Sequence, residues 1–201
     1  AFNRTLTASL DGFLRLPLPE AAKPMVPLFA SCAAGVFLPQ ILGGGSPLVD
    51  SLVREDYGLC FLLVIFLGKF FFTMLCFGSG VPGGIFLPML VLGALGGAMF
   101  AKAAVLLGLL APQIAVDCMV FGMAAYFACV VKSPITGTVL IMEMTGSFAH
   151  MLPLILVSMT AYLVSEVAGG APVYEMLLAR SLRLRERARQ RLRGMGRAGA
   201  K

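Results

Sequence analysis

Gly78-Ser79-Gly80-Val81-Pro82-Gly83-Gly84-Ile85-Phe86-Leu87-Pro88 decides how the rest of the chain is read. It separates two long apolar runs, Tyr57 to Phe77 and Ile85 to Leu109. Inside a bilayer an unpaired backbone N–H costs several kcal/mol, so a helix broken there needs a reason. A break is tolerated where it lines a cavity or a binding site. The start of the following half-helix then offers free N–H groups and a positive dipole end to an anion. Gly83 and Gly84 let the backbone come close to a ligand. Ile85 and Phe86 are the first-turn donors, and Pro88 falls where its missing N–H costs little. A hinge that serves packing alone fits the same spacing. No Gly-Lys-Ser/Thr follows, which excludes a nucleotide-binding P-loop.

Composition places this break in a membrane. The 201 residues are 59% hydrophobic and 13% charged, against about 25% charged in soluble domains. The mean hydropathy is +0.91. Too few charges exist to cover a water-facing surface, so the fold class is all-α integral membrane. From Arg180 onward, nine Lys/Arg face one Glu, a net +8. The rest carries seven basic and nine acidic residues, a net −2. Residues 1–180 are therefore read as the membrane domain and 181–201 as a basic tail. After an apolar body such a tail marks a cytoplasmic C-terminus near anionic lipid rather than a nucleic-acid binder. Cys32, Cys60, Cys76, Cys118 and Cys129 form no CxxC and are read as small buried hydrophobes.

The apolar segments are uneven. Met25 to Leu38, Val116 to Val131 and Pro134 to Thr145 fall short of the ~20 residues a perpendicular span needs. Tyr57 to Phe77, Ile85 to Leu109 and Ala149 to Ala168 are long enough. Gly43-Gly44-Gly45, Lys132-Ser133-Pro134 and Gly169-Gly170-Ala171-Pro172 break the chain within apolar sequence. Discontinuous, tilted transmembrane helices of this kind belong to channels and transporters. An assembly or scaffold subunit that transports nothing is the alternative. Gly93, Gly96 and Gly97 form a smooth face for close helix packing.

Four polar residues stand out. Tyr174 opens the last helix, and its O–H can donate to an anion or sit at a membrane boundary. Lys69 lies near the middle of a span, where a charge needs a partner or a cavity. Glu143 ends a short apolar helix. Structural pairing is the expectation for both Lys69 and Glu143, ahead of a direct part in ion movement, gating or proton relay. His150 is the single histidine, so no metal site is expected. Nucleophile-elbow, HExxH and dinucleotide motifs are absent from the sequence, so no enzyme and no cofactor are expected.

Several motifs in order are similar to those of the CLC family of chloride channels and chloride/proton antiporters. Gly84-Ile85-Phe86-Leu87-Pro88 matches the family's GxFxP signature, with Ser79-Gly80-Val81-Pro82-Gly83 before it in the family's form. Lys69 to Phe77, Lys132 to Gly137, Leu140 to Thr145 and Gly169 to Tyr174 resemble neighbouring family segments. The resemblance runs from Phe2 to Arg180 and covers only the second half of a CLC subunit, its second inverted repeat. It implies that the backbone N–H groups of Ile85 and Phe86 and the Tyr174 hydroxyl bind chloride, with protons as the second transported species. It also implies a homodimer, its interface drawing on the first helix and the region Pro134 to Ala168. The residues that the family uses for gating and proton transfer belong to the first half. The expectation is a fragment that supplies half of the anion site and needs the N-terminal half as partner. No CBS-like domains follow, which points to a multi-pass protein of a prokaryotic inner or plasma membrane.

Overall fold

Glycine and proline divide the apolar sequence into nine α-helices among the described residues. They are α1 (Phe2–Arg15), α2 (Met25–Phe37), α3 (Ser46–Arg54), α4 (Leu59–Gly78), α5 (Phe86–Leu106), α6 (Ala115–Val131), α7 (Pro134–Thr145), α8 (Met151–Val167) and α9 (Val173–Ala198). The computed structural model describes residues 2–15, 19, 22–80, 84–146 and 148–198, with no strand among them. Proline sits in the first turn of α3 and of α7, where its fixed φ suits helix initiation. With 20 and 21 residues, α4 and α5 are long and apolar enough to cross a membrane. At 1.5 Å per residue each spans about 30 Å. The 13 residues of α2 and the 12 of α7 do not reach that far. The expected pattern of discontinuous helices is present.

At the centre is α5. Every residue from Met89 to Leu95 is buried, on all sides of the helix. Apolar character all round suits a helix enclosed by others. Against α6 it packs backbone to backbone. A Cβ added at Gly97 would lie 2.1 Å from the Cys118 carbonyl oxygen, and one at Gly93 2.7 Å from that of Gly122. In lipid, where apolar side chains gain little by leaving the solvent, this close van der Waals contact is a main source of helix association. Gly96 departs from the expectation: nothing lies within 4 Å of its added Cβ. Residues 93 and 97 lie one turn apart on the face toward α6, and 96 falls beside it.

A second buried cluster joins distant parts of the chain. Phe2 and Leu6 of α1 meet Met74 of α4, Ile85, Met89 and Leu92 at the start of α5, Val130 of α6 and Val173 of α9. Ion pairs fasten the rim. Lys102 bonds Asp56 and the Tyr57 carbonyl, Lys132 bonds Glu166, and Arg180 meets Asp11 at 2.7 Å.

One sequence expectation is corrected. Cys32 and Cys60 are exposed rather than buried; only Cys118 is fully buried. In a membrane chain the outward helix faces are apolar too, so an apolar neighbourhood does not mean an interior position. The 180/181 boundary falls inside α9, which continues helical to Ala198. The basic tail is the distal part of one helix.

Candidate anion site at two helix starts

The site is built on the start of α5. Ile85 is the residue before the first full turn, and its carbonyl accepts from the Met89 N–H at 3.1 Å. The N–H groups of Ile85, Phe86 and Leu87 precede the first residue that can bond back along the helix, so no helical acceptor serves them. Pro88 has no N–H to leave unpaired. This gives three donors at the positive end of a 21-residue helix. Gly83 lies outside the described residues. Gly84 is exposed, and none of the described residues lies within 4 Å of an added Cβ there. Open space thus adjoins the backbone just before the donors.

A largely apolar cavity of about 510 Å³ adjoins this helix start. Gly84, Ile85 and Pro88 line one side, α2 residues from Met25 to Ser31 another, and Lys69, Thr73 and Cys76 of α4 a third. Phe86 is absent from that lining and instead meets Phe127 edge-on at 5.7 Å between ring centroids. The aromatic contact anchors the first turn of α5 on α6.

Lys69 is 1% exposed. Its Nζ donates to the Ile41 and Gly43 carbonyls, both at 2.8 Å. Ile41 ends a short 3-10 turn, Pro39–Ile41, and Gly43 opens the glycine loop. The charge is thus held by backbone carbonyls, with no acidic side chain involved among the described residues. It fixes the loop whose Gly45 lies against Val91 of α5. Glu143 is exposed on α7 and makes no ion pair among the described residues.

The start of α9 is the second helix terminus at the site. Val173 is 1% exposed and shares the buried cluster with Ile85 and Met89. The Pro172 carbonyl accepts from the Met176 N–H at 3.2 Å, so the N–H groups of Val173 to Glu175 also lack helical acceptors. Tyr174 is half-exposed, does not line the α5 cavity and makes no hydrogen bond among the described residues. The two helix starts contribute residues to one buried cluster. It does not join the Tyr174 hydroxyl to Ile85 or Phe86 through any direct contact.

Asn3 of α1, which no sequence motif singles out, links this region. Its Nδ2 donates to the Ala171 carbonyl at 2.7 Å and to that of Val130 at 3.3 Å. Nothing in the local sequence marks those carbonyls as its acceptors.

Known proteins share this arrangement of helices. A family model described as voltage gated chloride channel matches residues 1–166. The H(+)/Cl(-) exchange transporter ClcA of Vibrio campbellii is 38% identical over 191 residues, covering 90% of this chain and 40% of that protein. ClcA of Yersinia pestis bv. Antiqua is 40% identical over 151 residues, covering 74% and 31%. The crystal structure of a slow cyanobacterial Cl-/H+ antiporter matches with a TM-score of 0.76 at 33% identity, covering 90% of this chain and 43% of that one. The chain spans about two fifths of the length of the curated relatives it matches.

Proposed function

The chain belongs to the voltage gated chloride channel family, and from that premise we propose that it supplies one wall of a chloride site in a transporting subunit. The observation that carries this is the meeting of two helix starts, α5 at Ile85 and α9 at Val173, in one buried cluster. Both carry unspent N–H groups and positive dipole ends. Chloride is spherical and singly charged, so partial charges from backbone N–H groups suit it without a full Lys or Arg charge. Binding then stays weak enough for release, which transport requires. The N–H groups of Ile85 and Phe86 and the Tyr174 hydroxyl are the donors. Gly83 and Gly84 leave room for the ion, and Pro88 keeps the first turn free of a competing N–H.

The opposing wall comes from the other half of the subunit, and the open side at Gly84 is where it closes the site. The exchange activity in the relatives' names supports coupling of chloride to protons. The proton-handling residues are assigned to that other half; among the described residues no acidic side chain lines the α5 cavity. Exposed apolar side chains on α7 and α8, among them Ile135, Leu152 and Leu156, suit a homodimer interface in lipid. The basic distal part of α9 suits the cytoplasmic membrane surface.

Reconstitution tests this. The chain alone in liposomes should give no selective chloride flux, and flux equal to that of a complete subunit would sink the half-site reading. With the complete subunit, bromide anomalous scattering should give a peak at the start of α5. A peak-free map at saturating bromide would favour the scaffold role instead.

A further inference from the structure

Asn3 stands where the first helix, the end of α6 and the start of α9 converge. Val130 lies in the last turn of α6, whose final carbonyls have no helical donor. Ala171 lies two residues before α9. One side-chain amide therefore ties these two segments across 127 and 168 positions of sequence. Gly169, at φ +67, and Gly170 close the end of α8, their N–H groups donating to the Glu166 and Ser165 carbonyls, so Ala171 and Pro172 alone lead from that cap into α9.

The amide is held firmly on its own side. Phe2, 6% exposed, meets Tyr126 and Phe70 edge-on at 5.8 and 5.9 Å between centroids. Asn3 Oδ1 is buried and has no hydrogen-bond partner among the described residues. A buried acceptor left unpaired opposes folding, and such groups call for an explanation beyond stability. The Nδ2 contacts supply one: they set the position of the α9 start.

We propose that Asn3 is a positioning residue for the anion site. It holds the first turn of α9, and with it the Tyr174 hydroxyl, in register with the first turn of α5. Asn3 does not touch the ion. The proposal rests on the chloride reading given above and adds a residue that acts on it through α9.

The test uses the full-length subunit that contains this chain. In calorimetric chloride titration, Asn3→Leu is expected to weaken binding about threefold to tenfold, the loss of one neutral hydrogen bond to the ion. Asn3→Ser is a milder change, expected to fall between, and serves if the leucine variant does not fold. In a Tyr174→Phe background neither substitution weakens binding further. Amide hydrogen exchange over 171–176 rises in both Asn3 variants, while the α5–α6 contact keeps its protection. Faster exchange with wild-type chloride affinity would make Asn3 a structural tether only and overturn the proposal. Equal losses with and without the Tyr174 hydroxyl would also overturn it. The two readings fail differently. A Tyr174→Phe variant with wild-type affinity sinks the Tyr174 role itself, and the proposal with it. A weakened Tyr174→Phe beside silent Asn3 variants sinks the positioning role alone.

Discussion

Glycines on and beside α5 meet opposite surroundings. At Gly93 and Gly97 the missing side chain is accounted for inside the chain, because α6 backbone occupies the space. At Gly84, nine positions before Gly93 and thirteen before Gly97, an added Cβ would meet none of the described residues within 4 Å. The first region is finished packing. The second is a helix start with free donors beside a largely apolar cavity. A membrane chain can thus hold a complete interior and an incomplete site a few turns apart on one helix.

The sharpest way to break that contrast is Gly97→Ala. Its Cβ would sit 2.1 Å from a backbone oxygen that cannot move cheaply. We expect a loss of about 3 kcal/mol or more in denaturant unfolding in detergent. An unchanged midpoint would mean that α5 and α6 do not meet as described. Lys69→Met comes next, at about 2–3 kcal/mol, since it leaves the Ile41 and Gly43 carbonyls without their buried donor. Limited proteolysis should then open the chain at Gly43 to Gly45; a resistant loop would mean that Val91 contacts suffice to hold it.

Tyr174→Phe is expected to weaken chloride binding by about 0.5–1.5 kcal/mol in calorimetric titration and to leave unfolding unchanged. A much larger loss would give Tyr174 a structural role. Gly84→Ala is likewise expected to leave stability nearly unchanged, within about 0.5 kcal/mol, while its added methyl group weakens chloride binding in the same titration. Destabilisation on the scale of Gly97→Ala would erase the difference between the two regions.

Most helix boundaries could be read from glycine and proline, because those residues act locally. Pro134 opens α7, the Gly78 to Pro88 break separates α4 from α5, and α9 begins one residue after Pro172. The donors at Ile85 and Phe86 were legible for the same reason: they precede the first helical acceptor pair. Partnerships were not legible. Lys69 bonds carbonyls, and every residue has a carbonyl, so the sequence gives no sign of which two it takes. Asn3 reaches Ala171 across 168 positions through the fold alone. The exposed Cys32 and Cys60 show the limit of hydropathy in a membrane chain, where inside and outside are both apolar. Gly96 shows the limit of composition, since only the helix turn decides which of three small residues meets α6.

The two oxygens that hold Lys69 have one more consequence, in the order of synthesis. Ile41 and Gly43 precede Lys69 by 28 and 26 residues. At about 5–20 residues per second they leave the ribosome roughly 1–5 s ahead of it. A lysine entering the middle of a bilayer helix costs about 2.5–3.5 kcal/mol on insertion scales. Here the groups that receive the ammonium are already made when the charge arrives, so its insertion does not wait on any later part of the chain.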